Sequence, residues 1–263
     1  MASAAARLLF LAGFRVTVLE REPPLAVRRR VSFAEAVLGG EALVEGVCGR
    51  RTSAWDVPEA APAYVPVIVD PGGQTLPSLR PDVLVDGRMA KRNLGTARGD
   101  AAVVVGLGPG FEAGLDVHAV VETQRGPDLG RVYWVGRAQA DTGTPSPVEG
   151  RTRERVLRAP RTGLFRGAVA IGALVEGGQT LGDVDGVSVV AGISGLLRGL
   201  VADGVAVAEG TKLGDVDPRG TAVDPARLSD KARAVSAGVL EAVLSGLARI
   251  AGPARLADPG PVG

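Results

Sequence analysis

The stretch APRTGLFRGAVAIGALVEGGQTLGDVD, residues 159–185, returns as AGISGLLRGLVADGVAVAEGTKLGDVD at 191–217, a shift of 32 with 15 of 27 positions identical. Both copies carry short β-rich runs cut by glycine at matching places: Gly163 and Gly195, Gly172 and Gly204, Gly178 and Gly210. One copy is too small to bury its own apolar face, so the repeat predicts two copies wrapped around each other as one quasi-twofold β unit. That reading organises the chain into an α/β region over 1–157, a module over 158–220, and a helix with its tail over 221–263.

The module resembles biotinyl and lipoyl carrier domains, which are small barrel-sandwiches made of two halves. The resemblance implies a lysine presented for modification at the hairpin between the halves. Here that hairpin falls near VDGVSVV, residues 184–190, which contains no lysine, so no covalent lipoyl or biotin group is expected. The module reads instead as a rigid β unit that positions the first domain or docks a partner. After it, SDKARAVSAGVLEAVLSGLARIAG opens on Ser229 as a helix N-cap and spaces Val235, Val239, Leu240, Val243 and Leu247 as the stripe of an amphipathic helix.

Upstream, residues 2–12 have helical composition, Gly13 suits a helix stop, and FRVTVLE is a β-rich run ending on Glu20. The runs VPVIVD, DVLVDGRM and AAVVVGLG are continuous Val/Ile stretches of the kind that parallel sheets bury on both faces. The alternation predicts an α/β fold with a Rossmann-like N-terminal domain. In such a domain an acidic residue at the end of the second strand bonds the ribose hydroxyls, which makes Glu20 the candidate for that role. The first strand and glycine turn of that domain are missing, because Met1 falls within the first helix.

Lys+Arg 30 against Asp+Glu 29 leaves a net charge of +1, so no global field draws in nucleic acid or an anionic membrane, and any anion site has to be local. A single cysteine, Cys48, excludes an internal disulfide and an all-cysteine metal site and suits a reducing, cytoplasmic setting. No His/Cys/carboxylate spacing meets the usual metal criteria. No uncharged apolar run reaches the ~18 residues of a membrane span, so no membrane partner is expected.

GLGPG, residues 106–110, sets three glycines and a proline after the buried run AAVVV, at the edge where α/β sheets hold ligands. Glycines let backbone N–H groups close on an anion, so Gly106, Gly108 and Gly110 are candidate cofactor-binding positions. The Lys and Ser/Thr of a P-loop are absent, and a plain tight turn stays open as the other reading. After DVLVDGR, the residues Arg88, Lys91, Arg92 and Asn93 crowd one strand end, and cations with an amide suit a phosphate or an oxyanion. The one histidine, His118, shares a strand face with Asp116 two residues before it. That pair is the candidate general acid/base, with Asp116 orienting the imidazole. Loop, basic segment and His118 are expected to converge at one end of one sheet as an anion pocket.

Longer strings, among them AGFRVTVLEREPPLAVRRRVSFAEAV, RPDVLVDGRMAKRNLGT, LGPGFEAGLDVHAVVETQRGPDLGRV and SDKARAVSAGVLEAVL, resemble the YqeB-type selenium-dependent molybdenum hydroxylase system proteins. The resemblance covers nearly the whole chain. It implies a Rossmann-like N-terminal region and an accessory role in maturing active selenium-dependent molybdenum hydroxylases, with the hydroxylase or its maturation proteins as partners. It also implies a strand and a Gly-x-Gly-Asp turn before the segment that matches MASAAARLL, and this sequence lacks both. The expected function is therefore an accessory factor that binds a phosphate-bearing or oxyanion ligand in the α/β domain. The ligand's identity stays open between a nucleotide and a molybdenum-cofactor-related molecule. Two alternatives stand beside it: a nucleotide-dependent redox or transfer enzyme using His118, and a non-catalytic docking protein. A homo-oligomer also stays open.

Overall fold

A computed structural model describes residues 1–58, 62–143 and 147–252. Their strands form five separate sheets, four of four strands and one of two. This corrects the expected fold class. The Val/Ile runs do enter parallel pairs, but in two different sheets, and the links between them lack crossover helices. Val65–Val69 is followed only by the four-residue helix Leu76–Leu79, and Asp86 reaches Val103 with a single 3-10 turn, Arg98–Asp100. A doubly wound sheet needs a helix in each such link. The repeat likewise closes no barrel and builds two open four-stranded sheets. The described chain is a mixed α/β assembly of small sheets with four α-helices.

The chain divides into two compact units. The larger comprises Ser3–Thr75 and Thr142–Arg233, the smaller Met1–Ala2, Leu76–Asp141 and the chain from Ala234 onward.

In the larger unit one sheet has the strand order Val18–Glu20, Val65–Val69, Val47–Arg51, Glu41–Val44. Its first two pairs are parallel and the last is a hairpin. The hairpin turns on Glu45 and Gly46, both at positive φ, which matches the right-handed twist of the flanking strands. Phe33, fully buried, lies flat on Gly49, where a Cβ would come within 2.5 Å of the ring.

The repeat makes the other two sheets of this unit, and each sheet contains strands of both copies. Gly163–Gly167 pairs with Thr180–Val184 of its own copy and with Ala206–Val207 of the other. Gly195–Leu200 pairs with Lys212–Asp217 of its own copy and with Leu174–Val175 of the other. The outer strands Val187–Val190 and Val156–Arg158 complete the two sheets. Phe165, Leu181, Val184, Leu197, Leu213 and Val216 are fully buried in one core drawn from both sheets, with Leu25 and Val27 packed against it. The exchange of strands is what lets two 27-residue copies reach a common core.

The smaller unit carries the sheet Val83–Asp86, Val103–Leu107, Ala119–Val121, Val132–Tyr133, parallel except for the last pair. The helix Asp230–Ala251 lays its buried Val239, Ala242 and Val243 into this unit. Two glycines permit the approach: Gly238 faces the carbonyl of Gly130, and at Gly246 a Cβ would stand 2.7 Å from Val103. With a mean hydropathy of 1.5 the helix is long and apolar enough to cross a membrane. Its glycine-mediated seat on the strands is that of a core helix. Ser229 caps it as the sequence predicts, its hydroxyl accepting the Ala232 N–H at 3.1 Å.

Candidate functional site

In the smaller unit the parallel strands end together, and buried polar groups gather at that carboxyl edge. Asp86, the last residue of its strand, is 6% exposed. Both of its oxygens take the Arg88 guanidinium, and Oδ2 also accepts the Thr96 hydroxyl at 2.7 Å. Burial pushes the Asp86 carboxyl up, but the hydrogen bonds from Arg88 and Thr96 outweigh it and leave the pKa below the usual range. Asn93 folds the next turn, its Oδ1 accepting the N–H groups of Gly95 at 2.9 Å and Thr96 at 2.8 Å. Arg88 and Asn93 are therefore committed to holding the segment's shape.

The glycine loop meets this segment. Gly110, at φ +110°, lies so close to the backbone of Lys91 and Arg92 that a Cβ would stand 2.5 Å from the Arg92 nitrogen. Gly108, at φ +73°, lies against the Thr123 hydroxyl, and at Gly106 a Cβ would come within 2.5 Å of the Phe111 ring. Close packing thus requires glycine at all three positions. Lys91 pairs with Asp141 at 2.6 Å with both side chains exposed, and Arg92 is exposed with no partner among the described residues. Beside them Glu122 is fully buried, and its carboxylate accepts the N–H groups of Thr123 and Gln124 at 2.7 Å and of Gln139 at 2.8 Å.

His118 is not part of this edge. It sits beside Val104, near the start of strand Val103–Leu107: its Nδ1 accepts the Val104 N–H at 3.0 Å and its own N–H donates to the Val104 carbonyl at 2.8 Å. The glycine loop leaves the other end of that strand, three residues on, or roughly 10 Å at the rise of a β-strand. Asp116 does not bond the imidazole, because its Oδ2 accepts the Glu112 N–H at 2.9 Å to close a turn. Burial lowers the His118 pKa and repulsion from Arg98 adds to it, which suits an Nδ1 that serves as an acceptor. The structure so brings loop and basic segment together and separates both from the histidine.

The larger unit has its own carboxyl edge, at the ends of Val47–Arg51 and Val65–Val69. A cleft of about 390 Å³ opens there, lined by Arg51, Ser53, Trp55, Asp70, Gln74 and Thr75 among others. Asp70 accepts the Thr75 hydroxyl and N–H at 2.7 Å and the Gln74 N–H at 2.9 Å. Arg51 is forked onto Glu22. Glu20 ends the neighbouring strand, opposite Val69, and is not among the walls of the cleft. Its Oε1 accepts the Arg21 N–H at 2.8 Å, and burial raises its pKa.

Three of these carboxylates, Asp70, Asp86 and Glu122, were not singled out by sequence reasoning. Each follows or ends a short apolar β run, in VIVD, VLVD and AVVE, and that pattern is the signal that could have found them.

No protein-family model matches the chain. Among solved structures it is similar to a succinylglutamate desuccinylase/aspartoacylase from Rhodobacter sphaeroides, 28% identical over 25% of this chain and 22% of that one, at a TM-score of 0.23. It is also similar to the ectoine utilization protein EutE (DoeB) from Ruegeria pomeroyi, 24% identical over 32% of this chain and 28% of that one, at the same TM-score of 0.23. Likenesses that short and that loose carry no argument about this fold or its chemistry. The sequence comparison reaches much further: the uncharacterized protein YqeB of Escherichia coli (strain K12) is 46% identical over 246 residues, 93% of this chain and 46% of YqeB. The chain is thus a homologue of YqeB over nearly its whole length, and spans about half the length of that relative.

Proposed function

We propose that the protein is an accessory factor in the maturation of a selenium-dependent molybdenum hydroxylase, working in the cytoplasm and holding a phosphate-bearing or oxyanion ligand at the carboxyl edge of the smaller unit. The role in maturation rests on the resemblance of the long sequence strings to that system's proteins; YqeB, the homologue matched across 93% of the chain, is itself uncharacterized. The ligand site is carried by one observation, the seating of Gly110 on the backbone of Lys91 and Arg92. It places two cations beside a glycine loop at a strand edge. Arg92 is unpaired among the described residues, and the exposed Lys91–Asp141 pair is of a kind worth no more than about 1 kcal/mol, so an anion can displace it. The alternative that makes His118 a general base gains no support from an imidazole already bonded to Val104.

Bound-ligand mass spectrometry on the native protein tests this reading, together with hydroxylase activity in cells lacking the gene and complemented with variants. The double variant Lys91→Ala, Arg92→Ala is expected to lose the ligand and fail to restore activity while melting at the wild-type temperature. Retention of ligand by the double variant, or full hydroxylase activity without the gene, overturns it.

A further inference from the structure

Within the larger unit the second repeat copy carries a concentration of charge that the carboxyl-edge site does not use. Strand Lys212–Asp217 is buried on both faces. Leu213 and Val216 enter the core, while Asp215 and Asp217 stay 5% and 3% exposed on a charged layer. Arg198 pairs with Asp217 at 3.0 Å, Arg219 with the same carboxylate at 2.7 Å, and Arg155 with Asp215 at 4.0 Å. Lys212 stands 3.7 Å from Asp215 at the rim, with its side chain 44% exposed.

Arg28 closes the layer from a distant part of the chain. Residues 27–29 dock on the module: Val27 accepts the Leu200 N–H at 2.9 Å, and Arg29 donates to the Leu200 carbonyl at 3.1 Å. Gly199 permits this, since a Cβ there would meet both Val27 and the Arg28 side chain at 2.8 Å. The Arg28 guanidinium has no hydrogen bond and no ion pair within 4 Å among the described residues, and its Nε is buried without a hydrogen-bond partner, as are the Arg198 Nε and, on the acidic side of the layer, the Asp215 Oδ1.

Five cations therefore surround two carboxylates. Glu149 and Asp230 also act on Arg219, which offsets that cation and leaves Arg28, Arg198 and Lys212 beside Asp215 and Asp217. A half-buried guanidinium whose Nε is sealed without a partner is costly, and a protein of net charge +1 has no general excess to explain it. We propose that this layer is an anion site, separate from the carboxyl edge and independent of it, that takes a phosphate-sized dianion between the second repeat copy and residues 27–30. Tetrahedral oxyanions accept from several guanidinium forks at once, and the two half-exposed cations, Lys212 and Arg219, mark the way in. Burial brings the Arg28 pKa down to about 10, with repulsion from Arg198 and Arg219 adding to it and the attraction of Asp215 and Asp217 opposing it.

Thermal unfolding of the whole chain tests the site, in inorganic phosphate, in adenosine monophosphate, and in sodium chloride at matched ionic strength. Phosphate is expected to raise Tm by roughly 2–4 °C over chloride when it is well above its dissociation constant. Arg28→Met should abolish that rise, and the change Lys212→Thr at the half-exposed rim should at least halve it. Arg166→Met, at the first-copy position that matches Arg198, and the Lys91→Ala, Arg92→Ala pair should both leave it intact, so failure at the carboxyl edge is distinguishable from failure here. A larger rise with the nucleotide than with free phosphate identifies a phosphate carried on a bigger molecule, and the reverse identifies a free oxyanion. No rise beyond chloride with either anion, or a rise that survives both Arg28→Met and Lys212→Thr, overturns the proposal.

Discussion

Gly182–Asp185 and Gly214–Asp217 are the same four residues, GDVD, at the same place in two copies of one repeat, and they live in opposite surroundings. Their backbones agree: Phe165 stands opposite Val184 as Leu197 stands opposite Val216, and both valines are fully buried. Their carboxylates do not. Asp183 caps a local turn, accepting the Gly186 N–H at 2.8 Å, while the exposed Asp185 accepts the Leu164 N–H of the strand Gly163–Gly167 at 3.2 Å. Asp215 and Asp217 are sealed under arginines. Arg166 is exposed while its counterpart Arg198 is 13% exposed. Inside the repeat only the rim contributes to this difference, Lys212 of the second copy pairing with Asp215 where the first copy has Thr180. The rest comes from Arg28, Arg155 and Arg219, all outside the two copies. Local sequence sets the strand, and what later packs on the strand sets its electrostatics.

The core is where the two copies should behave alike, and there the largest effects are expected. Phe165→Ala and Leu197→Ala each remove a fully buried side chain from the shared core and should cost about 4 and about 3 kcal/mol of unfolding free energy by urea titration. A difference of more than about 2 kcal/mol between them would break the equivalence of the two halves.

The aspartates should then separate the copies. Asp217→Asn strips a buried carboxylate of its charge while two arginines stay in place, a loss of about 3 kcal/mol. Asp185→Asn alters an exposed group with one long hydrogen bond and should cost less than about 1 kcal/mol. The gap should depend on pH. Burial raises the Asp217 pKa, but the hydrogen bonds and charge of Arg219, with Arg198, bring it below the ordinary value. A depressed folded pKa means the stabilisation is fully present above the unfolded value near ~3.9 and is lost as pH falls through the folded one. Wild type and Asp217→Asn should therefore converge in stability below about pH 4. A gap that stays constant down to pH 2 would mean that charge is not its source.

The same contrast explains how far the sequence could be read. The repeat was legible because glycines at fixed spacing force turns at fixed places, and the Val/Ile runs were legible as strands because continuous apolar β runs bury both faces. Which sheet each run joins was not, because that depends on links that look alike whether or not a helix forms in them. Gly110 could be singled out as special but not for its actual reason, contact with the backbone of Arg92. The pairing of His118 with Asp116 failed because strand periodicity was applied across a turn: Glu112–Asp116 closes a loop before the strand begins at Ala119. The charged layer was least legible of all. Its Arg28 lies 187 residues before Asp215, and the identical GDVD of the first copy carries no such layer.

The smallest expected effect tests how much of the contrast belongs to the repeat itself. At the rim of the charged layer, Thr180 of the first copy stands for Lys212 of the second. Lys212 is 3.7 Å from Asp215, and Thr180 stands in the same relation to Asp183. Burial lowers the Lys212 pKa and the cations Arg155 and Arg28 lower it further, while Asp215 acts the other way. With the side chain 44% exposed, solvent screens most of what remains, so Lys212→Thr in phosphate-free buffer should change stability by less than about 0.5 kcal/mol. Thr180→Lys places an ammonium three residues from the half-buried Asp183, which makes no ion pair within 4 Å among the described residues although Arg166 stands opposite it in the sheet, and should gain about 0.3 kcal/mol, erased by high salt. A swap of both residues should then be near neutral overall, read as a midpoint shift in urea. A loss above about 1 kcal/mol from Lys212→Thr alone would show that the lysine supports the layer directly and that Arg28 is not its unbalanced member.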